Sequence, residues 1–404
     1  MSKYRILFTE TGTQGGGSFQ SLYQMVQALD RELFEPIVVF VNRTRFYDLM
    51  LEAGVETHLL RDWVFTKTVP WFLQKRLEHL EEGVFRRMPF LGESVVRLVH
   101  GPLIRELRQI IRERNVNLLY LNDQIDRDIF GCCVAKDMGI PLMCHLRSRN
   151  GEPFTPAKAE FANRHVGAYI PNARVVKEYW EARGVDPQKS FLIYNGMPVF
   201  RIEPLDLEAE FGVLASSKKI VCVSRLIPEK GHSFLLEGYA EYTRRGGDAL
   251  LFVVGDGRSR ADLEKRTEEL GIAGRVVYTG MDLRAKEIVA ACDVLVQPSE
   301  FDSFGRTVPE AMMIGTPVVA TDVGSIREII RHAENGMLVP FGDAPALADA
   351  LERVLRDAAL AARLARAAGE DVRNEFSIEA KVAQIRNLML ALLEGKAPGG
   401  AKGA

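Results

Sequence analysis

Asp302 and Glu310 bracket the run Phe304-Gly305-Arg306-Thr307, and Arg225 and Lys230 bracket a second short loop, Leu-Ile-Pro-Glu, that ends at Gly231. Two carboxylates at one turn and two cations at another can hold an anion together with neutral hydroxyls. The flanking pattern says how they are carried. Residues 293–297 (Asp-Val-Leu-Val-Gln) read as a short buried strand, 298–305 as a loop, and 306–314 as a helix closed by Gly315. Pro309 is tolerated because it falls in the first helical turn, where backbone N–H groups have no intrahelical partner. Residues 316–321 are the next strand. The N–H groups of Gly305, Arg306 and Thr307 therefore lie at a helix start, on the carboxyl edge of a parallel sheet, a geometry that favours a phosphate. A carboxylate does not attract phosphate, so Asp302 and Glu310 are expected to accept hydrogen bonds from neighbouring hydroxyls. Phosphate plus hydroxyls points to a nucleotide sugar.

Asp302-x7-Glu310, with Phe304-Gly305 after the first acid and Glu310-Ala-Met-x-x-Gly315-Thr-Pro-Val-Val-Ala-Thr321 after the second, resembles the family-four retaining glycosyltransferases (group 1 glycosyltransferases) of the GT-B fold. That family usually carries Glu at the first acidic position, and Asp302 is one methylene shorter; Glu300 lies at the wrong spacing to replace it. The run Ser224-Arg225-x4-Lys230-Gly231 fits the same family pattern. The resemblance covers most of the C-terminal half and, more weakly, the N-terminal half. It implies an α/β chain of two doubly wound Rossmann-like domains facing an interdomain cleft.

Composition agrees with a globular enzyme of that size. The chain has 404 residues, 47% of them hydrophobic and 26% charged, with a formal net charge of −2. Length implies about two domains, and the charge gives no global pull toward nucleic acid. The start, Met1-Ser-Lys-Tyr-Arg, runs straight into strand-like Ile6-Leu7-Phe8, with no signal-peptide core and no uninterrupted apolar run long enough to cross a bilayer. A cytoplasmic protein is expected, peripheral at most to the inner face of the membrane. Cys132, Cys133, Cys144, Cys222 and Cys292 form no C-x-x-C and sit among apolar neighbours, so they read as buried reduced thiols rather than metal ligands.

In the N-terminal half, a first strand (4–8) leads into Thr11-Gly-Thr-Gln-Gly15-Gly16-Gly17-Ser18 and then a helix from 19 to 29. Such a turn lets backbone approach a phosphate or sugar. It fails as a dinucleotide fingerprint, because Gln20 stands where the third glycine is needed, and it lacks the Gly-Lys-Ser/Thr ending of a P-loop. The family resemblance implies that Gly16 and Gly17 border the donor. Further strands end at Asn122-Asp123-Gln124 and at His145, where polar groups could face an acceptor. By resemblance His145 contacts the sugar or steadies the reacting centre; Arg147 and Arg149 beside it could read an anionic acceptor. Asp126-Arg-Asp128, the one Asp-x-Asp run, reads as a solvated pair at a helix start. Residues 61–114 carry 11 Lys/Arg against 7 Asp/Glu and several aromatics. They either lie in an anionic membrane interface or pack on the domain core as an acceptor-side insertion.

The domain division expected is 1–200 for the acceptor side, with a last helix at 378–393 packing back onto it, 201–376 for the nucleotide sugar, and a disordered tail at 394–404. In the C-terminal half, Arg225 and Lys230 are positioned to grip a diphosphate. Gly255, Gly257 and Gly280 close strands whose exits border the nucleotide in the resembling family, as do Phe304, Gly305, Arg306, Thr307 and Glu310. The implied activity is retaining, metal-independent transfer of a sugar from a nucleotide diphosphate sugar to a glycan, lipid-linked or small-molecule acceptor. Arg225, Lys230, His145 and Asp302 would serve the reacting centre, with no cofactor besides the donor itself and no nucleic-acid partner. A sugar-nucleotide epimerase of related architecture and a non-catalytic nucleotide-sugar binder are the competing classes.

Overall fold

The computed structural model describes residues 3–12, 16–60, 80, 81, 83–149, 154–213 and 217–397. These fall into two compact units, one of residues 1–196 with 378–404 and one of residues 197–377. The first holds β1 (Tyr4–Glu10), β2 (Phe34–Phe40), β3 (Glu56–Leu59), β4 (Leu118–Leu121), β5 (Leu142–Leu146) and β6 (Ala168–Pro171) in the order β3-β2-β1-β4-β5-β6. The second holds β7 (Lys219–Val223), β8 (Leu250–Val254), β9 (Val276–Gly280), β10 (Val294–Gln297), β11 (Val318–Thr321) and β12 (Met337–Val339) in the order β12-β11-β10-β7-β8-β9. All the pairings are parallel.

Parallel sheets are covered on both faces, which is why these strands are apolar almost throughout. In the first unit, Ile6, Phe8 and Val38 pack with Phe19, Leu22 and Met25 of the helix Gly17–Gln27. Leu7, Ile37 and Val39 turn the other way, toward Leu103, Leu107 and Ile110 of the helix Gly101–Arg114. The last helix, Ile378–Leu393, adds Ile378, Val382, Ile385 and Met389 to the first of these clusters. In the second unit Ile220, Cys222, Leu251 and Val296 share a core with Leu235 and Tyr239 of the helix His232–Arg244. All five cysteines are buried and free. Among the described residues no helix is long and apolar enough to cross a membrane.

Part of the basic segment is integral to the first unit. The helix Gly101–Arg114 buries its Leu103, Ile104, Leu107, Ile110 and Ile111, so it is a core element and not a loose surface helix. Residues 61–79 and 82, and the tail from 398 onward, lie outside the described residues.

The strand orders decide where a site can form. The strand order of each sheet reverses once, between β1 and β4 in the first unit and between β7 and β10 in the second. At such a switch point the two following loops leave in opposite directions and open a crevice at the carboxyl ends of the strands. Glu10 and Asn122 mark that position in one unit, Ser224 and Pro298 in the other.

Candidate active site

In the second unit the loops after β7 and β10 bring Lys230 and Asp302, both singled out in the sequence, into contact. Lys230 Nζ lies 2.5 Å from Asp302 Oδ1, so these two, read separately in the sequence, are one ion pair in the structure. The other carboxylate oxygen of Asp302 accepts a 3.0 Å hydrogen bond from Gln297 Nε2, at the end of β10. The Asp302 carbonyl accepts from the Ser325 amide and hydroxyl, which anchors the loop from the other side. Gly324 makes this approach feasible: its φ is +51°, and a Cβ there would stand 2.2 Å from the Asp302 carbonyl oxygen. Asp302 is therefore held at both ends and buried.

Arg225 differs from Lys230. Its side chain is exposed and has no partner among the described residues, so its cation is available to a ligand. Between the two cations the chain makes a one-turn 3₁₀ helix (Pro228–Lys230), which leads into the helix His232–Arg244. His232 accepts or donates a 3.1 Å hydrogen bond at Ser224 Oγ, and burial with the nearby Lys230 charge pulls its pKa down to about 4, so it is neutral at ordinary pH.

The helix Thr307–Ile314 starts one residue after the expected Arg306, which is its N-cap, and ends on Gly315 at φ +96°. No side chain caps its start; the Val308 amide already donates to the Gly305 carbonyl at 2.9 Å and Pro309 has no N–H, so within the first turn the Thr307 amide is the group left for a ligand or water. Thr307 Oγ1 reaches the β7 carbonyl of Val223 at 3.3 Å, tying this helix start to the Arg225 loop. Glu310 accepts a 2.9 Å hydrogen bond from Arg306 Nη2 and has Lys286 Nζ at 3.7 Å. Phe304 is buried, its ring edge-on to Phe376, so its side chain serves packing. Gly255 sits at φ +138°, and a Cβ there would meet the Ser224 carbonyl oxygen at 2.0 Å. The close approach of β8's exit to the Arg225 loop thus requires glycine. Gly257 packs similarly against the backbone of Leu226, and the Gly280 carbonyl accepts from the Gly255 amide at 2.8 Å.

The switch point of the first unit is a buried polar network. Glu10, fully buried at the end of β1, accepts from the Gly12 amide (3.0 Å) and from Asn122 Nδ2 (2.6 Å). Burial, then the neighbouring Asp123 charge, raises its pKa to about 7. Gly16 caps the helix Gly17–Gln27 and is exposed, as is Gly17. His145 is buried at the end of β5; its Nδ1 is 2.8 Å from the Tyr120 hydroxyl, and its Nε2 has no partner among the described residues. Burial and the Arg147 charge hold its pKa well below the usual histidine value, so it is a neutral imidazole.

Two expectations for this unit are corrected by the structure. Asp126 and Asp128 are not a solvated pair: both are buried, and Asp128 Oδ1 accepts a 2.6 Å hydrogen bond from Thr11, so the loop after β4 meets the exit of β1. Arg147 is not an exposed acceptor-reading group. It is buried and donates to the Asn122 carbonyl (2.7 Å), Asn122 Oδ1 (2.6 Å) and Asn195 Oδ1 (2.9 Å), bracing three loops. Sequence reasoning also passed over Glu10, Gln297 and Lys286. Glu10 and Gln297 could have been found as polar residues ending otherwise apolar central strands; Lys286, on a helix with no motif, could not.

The architecture is that of the GT-B fold. HepE of Anabaena, in crystals with UDP, superposes with a TM-score of 0.78 over 96% of this chain and 100% of its own, at 23% identity. Sucrose-phosphate synthase of Thermosynechococcus elongatus superposes at 0.75 over 98% of this chain and 100% of its own, at 18% identity. Residues 207–371 match the model of the family described as glycosyl transferases group 1. Among curated relatives, the lipopolysaccharide core biosynthesis glycosyltransferase LpsE of Rhizobium meliloti is 33% identical over 205 residues, 51% of this chain and 58% of LpsE. The N-acetyl-alpha-D-glucosaminyl L-malate synthase of Bacillus anthracis is 30% identical over 213 residues, 52% of this chain and 56% of that enzyme. The chain thus spans about half the length of these relatives.

Proposed function

We propose that this protein is a retaining glycosyltransferase that takes its sugar from a nucleotide diphosphate sugar. The observation that carries the reading is the cluster at the β7/β10 switch point: the free cation of Arg225 and the Lys230–Asp302 pair, with an uncapped helix start tied to the same loop through Thr307. The names of the relatives and the UDP held by HepE support the same class of chemistry.

The barrier to transfer is charge growing on the leaving diphosphate as the bond from the anomeric carbon to its phosphate oxygen breaks. Arg225, Lys230 and the amides of Gly305, Arg306 and Thr307 would take up that charge, which is electrostatic stabilisation by fixed donors. Two cations and a helix start suffice for this role, so the reaction is proposed to need no divalent metal. The acceptor oxygen bonds to the same face of the anomeric carbon, and the departing phosphate oxygen takes its proton, which balances the exchange without a protein nucleophile. Glu310 would hold ribose hydroxyls. Asp302 would address the donor sugar with lone pairs not used by Lys230 and Gln297. Gly255, Gly257 and Gly280 let backbone approach the nucleotide. In the first unit, Gly16 and Gly17 would border the donor, and His145 would present Nε2 to the sugar.

The acceptor is proposed to be a glycan or lipid-linked molecule, with peripheral membrane contact through the 61–114 segment. The test is turnover of UDP-, GDP- and ADP-sugars with and without acceptor, with the anomeric configuration of the product read by NMR. A retained configuration, activity surviving EDTA and strong loss in Lys230→Ala support the reading. Near-wild-type turnover in Lys230→Ala, or an altered free sugar released without acceptor, overturns it.

A further inference from the structure

Between Phe85 and Val99 the first unit carries an apolar surface that the fold holds rigidly outward. Phe90 is 80% exposed, Leu98 75%, Met88 42% and Leu91 37%. Leu91, Val95 and Leu98 fall at i, i+4 and i+7, one face of the helix Gly92–Val99 and the turn before it. The opposite face is fastened: Gly92 and Val96 are buried, and a Cβ at Gly92 would stand 2.3 Å from the ring of the buried Phe85. Arg97 is clamped to Glu93 (2.8 Å) and Asp137 (2.6 Å). Beneath, a buried pair joins Lys158 Nζ to Glu81 Oε1 at 2.7 Å, with His100 Nε2 on the second Glu81 oxygen at 3.2 Å. A fixed helix that turns leucines outward is not explained by its own packing.

The charges beside this face have one sign. Arg86 and Arg87 are exposed and carry no ion pair among the described residues. Residues 83–92 contain no acid, and Glu93, the next one, is taken by Arg97 and Lys136. Exposed apolar side chains flanked by free guanidinium groups match the layered chemistry of a lipid surface, with acyl carbon beneath anionic headgroups.

We propose that Met88, Phe90, Leu91 and Leu98 enter the interface of an anionic membrane, with Arg86 and Arg87 on the headgroups. This rests on the membrane contact proposed above and narrows it to one face and one lipid charge. It also fits an acceptor whose lipid part stays in the bilayer while its sugar end is presented to the enzyme.

The test is flotation of the full chain with phosphatidylcholine vesicles and with vesicles containing 30% phosphatidylglycerol, for wild type, F90S/L98S and R86Q/R87Q. All the substituted groups are solvent-exposed, and an unchanged Tm verifies that the fold is kept. Wild type is expected to float with the anionic vesicles only, and each double variant to lose at least tenfold in bound fraction. Wild type that fails to float overturns membrane contact altogether. Wild type that floats while F90S/L98S floats equally overturns the assignment to this face. A dimer seen by light scattering that F90S/L98S abolishes, without lipid binding, makes a second copy the occupant and overturns the proposal.

Discussion

At the scale of single residues, the pairing of Lys230 with Asp302 changes what Asp302 is expected to do. On the proposed function, an acid that anchors a cation 2.5 Å away would fix where that cation meets phosphate, whatever it also does for sugar hydroxyls. Asp302→Asn keeps the Gln297 contact in one amide orientation but loses the charge that holds Lys230, and should lower kcat by about 10²-fold, the scale of losing one fixed transition-state donor. Asp302→Glu should recover part of that loss, because the longer side chain still reaches Lys230. Equal rates for Asp302→Asn and wild type in single-turnover measurements would remove the positioning role. Glu10 gives a second prediction. Its folded pKa of about 7 exceeds the usual carboxyl value of 4.5, so the folded state binds the proton more tightly than the unfolded one. Its contribution is fully present below pH 4.5 and is lost as pH rises through 7, by roughly 3 kcal/mol at most. Urea midpoints against pH should fall across that window in wild type and flatten in Glu10→Gln.

At the scale of elements, the Glu81–Lys158–His100 contact fastens Glu81, within the basic segment, to the helix Pro156–His165 of the first unit. Burial works against the Glu81 charge, but the His100 hydrogen bond and the Lys158 charge outweigh it and bring its pKa to about 2. Stability from this group is present above pH 4.5 and lost as pH falls toward 2. Glu81→Gln strands the Lys158 ammonium in a buried site and should cost about 3 kcal/mol in urea unfolding at pH 7. An unchanged midpoint would mean that Lys158 finds another partner. Elements were also where the sequence was most legible. The strand at 118–121 and the last helix at 378–393 have the bounds their apolar pattern predicts, and the helix after Gly305 begins within a residue of expectation. What pattern could not supply is the far end of a polar side chain. Lys230 and Asp302 are 72 residues apart, and nothing local says that their tips meet. Arg147, beside a strand end, reads as a group that could meet an anionic acceptor, and only the folded positions of Asn122 and Asn195 turn it into a buried brace. Asp126 and Asp128 were misread for the same reason: a polar loop looks solvated until another loop is seen to cover it.

At the scale of the whole molecule, both units repeat one arrangement, a six-stranded parallel sheet whose order reverses once beside its central strand. Alternation of apolar strands with amphipathic helices made that architecture readable, since parallel strands need helical crossovers and both faces covered. The two switch points are chemically unlike. One offers a free cation and an uncapped helix start; the other is a buried polar network in which His145 Nε2, Gln124 Oε1 and Asp128 Oδ2 have no hydrogen-bond partner among the described residues. On the proposed function, that asymmetry places the anionic part of the donor in the second unit. The most direct test is calorimetric titration of UDP-, GDP- and ADP-sugars into wild type and Arg225→Ala, whose substituted side chain is exposed and has no polar partner among the described residues. The account predicts saturable binding of at least one nucleotide sugar by wild type and at least tenfold weaker binding of it by Arg225→Ala. Binding that is equally tight in both proteins, or absent from wild type for every nucleotide sugar, would contradict it.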